Sequence, residues 1–171
     1  MPNLVVHSLP GVTVLAHTDQ ERAVATVDFA VGDEVLALGG SVRGVPTRYT
    51  LQVGIDEHLD AEAVHGGYRG VLAWRFADHS CAPVTRLVGR SLIAVAPIAA
   101  GEPVTFDYDT TEWDMASPFV CACGAAACRG VIRGYRHLSP VQRARLPFVA
   151  LHLKAMLERT AGAVSPAEPQ R

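Results

Sequence analysis

Short runs of apolar residues alternating with polar or small ones dominate the first two thirds of the chain, and turn residues separate them at close spacing. Residues 4–6 and 12–16 form β-like runs around Pro10-Gly11. Residues 23–29 alternate, Val31-Gly32-Asp33-Glu34 turns, and Val35-Leu36-Ala37-Leu38 predicts a strand that Gly39-Gly40 ends. A strand is expected over 49–53, then an acidic turn over 56–60. Residues 87–96 and 102–108 predict two more strands, joined by Pro97-Ile98-Ala99-Ala100-Gly101. Many short strands indicate a β-rich α+β fold and not a parallel α/β sheet. The pattern changes after residue 108. Residues 109–118 are polar and irregular, and a cysteine cluster follows. Ser139-Pro140 predicts a capped helix start, and residues 146–157 carry apolar positions at helical spacing, with Pro147 separating or beginning the pieces. From about residue 160 the composition is small, polar and proline-containing, which predicts a disordered tail over 161–171.

Composition narrows this little. The chain has 171 residues, enough for one domain, with 49% hydrophobic and 19% charged residues. A formal charge of −2 gives no general reason to bind nucleic acid or an anionic membrane. Lys154 is the single lysine, a bias that suits a GC-rich bacterial genome. The first ten residues lack the pattern of an export signal, and residues 91–100 are too short to span a bilayer and contain Pro97. A cytoplasmic protein without membrane association is expected, and no feature sets its oligomeric state.

The cysteines change the picture more. Cys121, Cys123 and Cys128 lie within eight residues, and Cys81 is the fourth. Without an export signal, Cys-x-Cys-x4-Cys reads as a metal site before disulfides, with reduced buried thiols as the alternative. Four thiolates are what a closed tetrahedral zinc requires.

Three stretches taken together resemble the SET-domain lysine methyltransferases. Arg75-Phe76-Ala77-Asp78-His79-Ser80-Cys81-Ala82-Pro83 is similar to the family's Arg-Phe-x-Asn-His-Ser-Cys-x-Pro-Asn. Gly101-Glu102-Pro103-Val104-Thr105-Phe106-Asp107-Tyr108 is similar to its Gly-Glu-Glu-Leu-Thr-Phe-Asp-Tyr. Cys121 to Gly130 matches the post-SET signature Cys-x-Cys-x4-Cys-Arg-Gly. The order matches too, and the resemblance covers about residues 4–135. It implies a SET fold of several short curved sheets with a knot-like C-terminal crossing, a post-SET zinc loop and a C-terminal helix. The expected boundaries are 1–116 for the SET domain, 117–134 for the zinc segment and 135–160 for the helical extension.

The resemblance also implies chemistry. Cofactor and substrate would enter from opposite faces, with S-adenosylmethionine methylating a protein lysine or a smaller amine. Tyr108 occupies the family's catalytic position and Phe106 the position that sets methylation number, where a Phe implies di- or trimethylation; alone, either reads as a packed strand aromatic. Arg75, Phe76, Asp78, His79 and Ile132 would contact the cofactor. Cys81 would complete a structural zinc site with Cys121, Cys123 and Cys128.

Four positions depart from the pattern. Glu21, Arg22 and Ala23 stand where a Gly-x-Gly normally approaches the cofactor. Asp78 replaces Asn, Val84 replaces the Asn of Pro-Asn, and Val131 stands where an aromatic often closes the lysine channel. Two readings follow: a divergent methyltransferase, or a SET scaffold whose transfer is weakened or lost and which binds a ligand or acts on a small molecule by other chemistry. Arg129, Arg133, Arg136, Arg143 and Arg145 read as a solvated basic face, open to an acidic protein partner, so direct nucleic-acid binding is not expected. Substrate choice would rest on an insert over 44–70 containing His58, His65 and Tyr68.

Overall fold

The computed structural model describes residues 4–17, 20–61 and 70–162. His65, Tyr68 and the tail from residue 163 on lie outside the described residues. The first sheet is a meander of β1 (Leu4–Leu9), β2 (Val12–His17) and β3 (Gln20–Ala25), turned at Gly11 with φ +79°. Alternation buries Val12, Val14, Ala23 and Ala25 on one face.

The chain then builds β4 (Glu34–Ala37) and a small antiparallel sheet of β5 (Ser41–Arg43), β6 (Thr50–Gln52) and β7 (His58–Asp60), with β7 in the middle. The acidic turn expected over 56–60 is thus partly a central strand, and His58, Leu59 and Asp60 are all buried. Charge concealed this strand from the sequence pattern. Gly40, at φ +137°, brings the chain so close to the Asp60 carbonyl oxygen that a Cβ would sit 2.7 Å from it.

A 3₁₀ run over Gly70–Phe76 carries Ala73 and Trp74 into the core, where the Trp74 indole donates to the Gly39 carbonyl at 2.8 Å. It leads into β8 (Asp78–His79). The single strand expected over 87–96 is instead a hairpin of β9 (Thr85–Val88) and β10 (Ser91–Ala94), turned at Gly89 with φ +58°. β10 pairs with both β9 and β4. The second expected strand shrinks to β11 (Thr105–Phe106), which runs parallel to β8 and is stopped by a 3₁₀ turn at Tyr108–Thr110. The main core joins these layers through residues such as Leu36, Leu59, Leu92, Ile98 and Val104.

A hairpin of β12 (Phe119–Val120) and β13 (Val131–Ile132) carries the cysteine loop. The Ser139 cap and Pro140 start are present as expected, in a capping box that opens α1 (Pro140–Ala144); α2 (Leu151–Gly162) follows Pro147. Leu153 is fully buried in a second core with Tyr135 and Leu138. The backbone N–H of Ala150 donates to the Thr110 carbonyl, so this extension buttresses the turn that begins with Tyr108. Among the described residues no helix is long and apolar enough to cross a membrane.

Candidate functional site

Four cysteines meet between β8 and the β12–β13 loop. The Sγ atoms of Cys81, Cys121, Cys123 and Cys128 all lie within 4.8 Å of one another. Gly124 and Gly130, at φ +72° and +77°, let the loop turn back on itself. The Cys123 N–H points at the Cys121 sulfur and the Arg129 N–H at the Cys81 sulfur, each at 3.4 Å. Burial pushes the Cys81 thiol up to about 12, while backbone N–H groups pull Cys123 down to about 6. Four thiolates at this spacing repel unless a cation joins them, so the donor set fits a tetrahedral ion such as Zn²⁺.

The residue after the last cysteine ties this loop to the Tyr108 turn. The Arg129 side chain is 10% exposed; its Nη2 meets Asp107 and its Nε meets Asp109 at 3.0 Å. Asp107 also accepts the Asp109 N–H and so caps the 3₁₀ turn. Asp109 accepts the Gly134 N–H at 2.8 Å. Burial raises the Asp107 pKa, and the guanidinium opposes it. The basic patch is therefore not the solvated face expected for Arg129. Arg136 pairs with Asp114 at the surface, and the Arg143 guanidinium lies 5.1 Å from the Tyr135 ring centroid.

A cleft of about 880 Å³ opens beside this anchor. Tyr108 and Phe106 share its wall, their rings tilted and 4.6 Å apart. The Tyr108 hydroxyl donates to the Ala77 carbonyl at 2.7 Å. Burial, with Asp78 and Glu112 nearby, pushes the phenol pKa well up, so Tyr108 stays a protonated donor. His79 packs edge-on against Tyr108. Its Nδ1 accepts the Tyr108 N–H at 3.2 Å, while Nε2 faces Cys81 at 3.4 Å. Burial, then the Arg129 charge, lowers its pKa to about 4, so the ring is a neutral linker between cleft and cysteines.

Of the residues singled out from sequence, Arg22, Arg75, Asp78, His79, Phe106, Tyr108, Cys121 and Cys123 line this cleft. Glu21, Ala23, Phe76 and Ile132 do not line it: Glu21 is exposed on β3, Ala23 and Ile132 are fully buried, and Phe76 packs on the main core. Two departures from the family pattern prove to be one feature. The Arg22 Nε lies 2.5 Å from Asp78 Oδ2, so the arginine in the glycine position pairs with the aspartate in the asparagine position. Arg75 stacks over Tyr49 with its guanidinium 4.2 Å from the ring centroid, at the same cleft. Sequence reasoning missed Glu112, which is 7% exposed and lines the cleft. Its one signal is position, a single turn after Tyr108.

Replacing Arg129 with Met leaves Asp107 and Asp109 buried without a cation. This change costs about 3–5 kcal/mol, to be read as a lowered urea midpoint; an unchanged midpoint would mean that the cluster holds nothing together.

No family model matches the chain. It is 32% identical over 95 residues to the methyltransferase flvH of Aspergillus flavus, an overlap of 53% of this chain and 53% of flvH. It is 35% identical over 85 residues to the histone-lysine N-methyltransferase ash1 of Drosophila melanogaster, covering 45% of this chain and 4% of ash1. The chain thus spans about half the length of the first relative and a small part of the second. Among solved structures it resembles KRYPTONITE in complex with mCHG DNA and SAH, with TM-score 0.51 and 20% identity over 68% of this chain and 27% of that one. A KRYPTONITE complex with mCHH DNA, H3(1-15) peptide and SAH gives TM-score 0.50 and 21% identity, over 68% and 28%. The fold of the chain is that of the SET domain.

Proposed function

We propose that the protein is an S-adenosylmethionine-dependent N-methyltransferase acting on a protein lysine or a related amine. The observation that carries this reading is the Tyr108 hydroxyl, protonated and fixed on the Ala77 carbonyl at the wall of a large cleft. The matched relatives are named methyltransferases, and both KRYPTONITE complexes contain SAH. The H3(1-15) peptide in one of them supports a protein lysine as the substrate.

S-Adenosylmethionine, when bound, supplies an electrophilic methyl group on a sulfonium. The residues of the chain do the rest by positioning and by excluding water. Arg22 and Asp78 present one positive and one negative group side by side, matching the carboxylate and ammonium of the cofactor's methionine part. This pair stands in for the missing Gly-x-Gly and Asn: recognition by backbone approach gives way to charge. Glu21 and Ala23 flank Arg22 on β3 and hold it in the strand. His79 and Arg75 line the same region, Phe76 anchors the run that carries Arg75 to the main core, and the fully buried Ile132 lies in the hairpin whose Phe119 lines the cleft. Tyr108 orients the attacking amine through its hydroxyl oxygen. Phe106 places no hydroxyl beside it, which favours repeated methylation. Cys81, Cys121, Cys123 and Cys128 would hold a structural Zn²⁺, which would tie the hairpin to the end of β8.

The Arg22–Asp78 pair also supports the second reading, in which the two charges satisfy each other and the cleft no longer receives the cofactor. Transfer of labelled methyl from S-adenosylmethionine to proteins and small amines of a cell extract separates the two. The proposal predicts transfer, and Tyr108→Phe lowers its rate about 100-fold while cofactor affinity stays within a few fold. A folded protein that neither binds the cofactor nor labels any amine would favour the scaffold reading. Metal analysis is expected to give one zinc per chain, and chelation to speed hydrogen exchange in the β12–β13 hairpin; zinc-free protein with an unchanged hairpin would remove the metal from the account.

A further inference from the structure

Glu112 is a buried carboxyl group with one oxygen that neither the fold nor the tyrosine chemistry uses. Its Oε1 accepts the Gln52 N–H at 2.7 Å, and the Gln52 side-chain oxygen accepts the Trp113 N–H at 2.8 Å, which fixes the backbone on both sides of the contact. Its own N–H donates to the Tyr108 carbonyl at 2.9 Å, so the turn that positions the tyrosine also positions this carboxyl. Oε2 meets no donor among the described residues, yet it is not sealed in the interior. The side chain lines the cleft with Leu51, Trp74 and Met115, largely apolar company for a carboxyl. An acidic group held so rigidly against an apolar wall, with one oxygen free toward a cleft, is built to meet a cation.

We propose that Glu112 receives the primary ammonium of the substrate in the cleft and accepts its proton before methyl transfer. The proposal rests on the methyltransferase reading for the transfer step but not for the amine site. A lysine amine arrives at neutral pH as an ammonium and is not a nucleophile until it loses a proton. One N–H proton passes to the Glu112 carboxylate, leaving a lone pair on nitrogen. The amine, oriented by the Tyr108 oxygen, then bonds to the methyl carbon as the carbon–sulfur bond of the sulfonium breaks, and that electron pair stays on sulfur. The proton remains on Glu112 until solvent removes it, and the product is a methylated ammonium.

Burial raises the Glu112 pKa to about 7, against the Gln52 N–H that lowers it. This value suits a group that must release and take up protons near neutrality. The charges facing it come from several elements. Tyr108 on its own turn stays protonated. Gln52 on β6 is neutral, and burial lowers the pKa of His58 on β7 and of His152 on α2, whose Nε2 lies 2.7 Å from the Thr111 carbonyl. Arg22, Arg48 and Arg75 line the cleft, as does Asp78, which Arg22 already pairs. The carboxylate form is the competent one. Ammonium binding is therefore expected to be present above pH 7 and to be lost as pH falls through about 7.

The probe is n-butylammonium, a lysine side-chain mimic, titrated into the full zinc-loaded chain with ¹³C-labelled glutamate carboxyls and followed by NMR. One carboxyl resonance, absent from Glu112→Gln, is expected to shift on binding. Affinity is expected to fall at least tenfold in that variant and partly to recover in Glu112→Asp. Equal affinity in wild type and Glu112→Gln, with both folded by the same spectra, would overturn the proposal. With an amine found by methyl labelling, kcat/KM of the wild type is expected to drop below about pH 7. In Glu112→Gln it would instead climb tenfold per pH unit from 7 to 9, following the free neutral amine. Superimposable profiles would remove the proton-accepting role. Butylammonium binding at Glu112 in a chain that never transfers methyl would leave the amine site standing and fell the methyltransferase reading alone.

Discussion

The Arg129 guanidinium, buried between Asp107 and Asp109, is the charge on which the arrangement of the cleft depends. A lone arginine or a lone aspartate in that position would be strongly destabilising, and two aspartates without it would repel. Their joint burial holds two separate pieces of chain in one geometry: the end of β11 with the turn that begins at Tyr108, and the loop that carries the cysteines. Each piece then positions something chemical. Asp107 caps the turn, Asp109 pins Gly134, and the Arg129 N–H points at the Cys81 sulfur. Gly134, at φ +103°, lies so close to the Trp113 carbonyl that a Cβ would sit 2.7 Å from its oxygen, so a side chain there would push the anchor apart.

From this anchor the charges in the cleft divide into two groups. Arg22 and Asp78, both roughly half exposed, form a pair at the surface that water screens and an incoming zwitterion can exchange with. Glu112 is buried and Tyr108 half-buried, and desolvation favours the neutral form of each. His79 stands between cleft and cysteines, neutral, bonded on one nitrogen to the Tyr108 backbone and facing Cys81 with the other. A change at the cysteine cluster therefore reaches the tyrosine through one rigid ring.

Much of this was legible in the sequence. β2, with clear alternation, fell where the pattern placed it, whereas the alternating run read over 23–29 begins earlier and ends sooner, as β3 (Gln20–Ala25). The cysteines predicted a metal site, and their four sulfurs converge. Elements governed by other forces were harder to read. β7 is a central strand spelled His-Leu-Asp, which local hydropathy reads as a turn. The β9–β10 hairpin turns at Gly89-Arg90, without the Asn-Gly or Asp-Gly signal of a tight turn. Glu112 sits in a polar stretch, and no local pattern shows that a carboxyl there is held by the backbone of a strand sixty residues away. The Arg22–Asp78 pair could be seen only as two separate departures until the fold brought β3 beside β8. The two substituted motif positions were visible in the sequence, but their pairing was not.

The central claim is that the cleft receives S-adenosylmethionine through charges that replace the usual glycine and asparagine contacts. Calorimetric titration of the zinc-loaded chain with S-adenosylmethionine tests it most directly, with Arg22→Ala and Asp78→Asn alongside. The account predicts micromolar binding by the wild type and clear weakening in Arg22→Ala. A folded chain that shows no heat of binding at millimolar cofactor, or that binds equally well without Arg22, would contradict it.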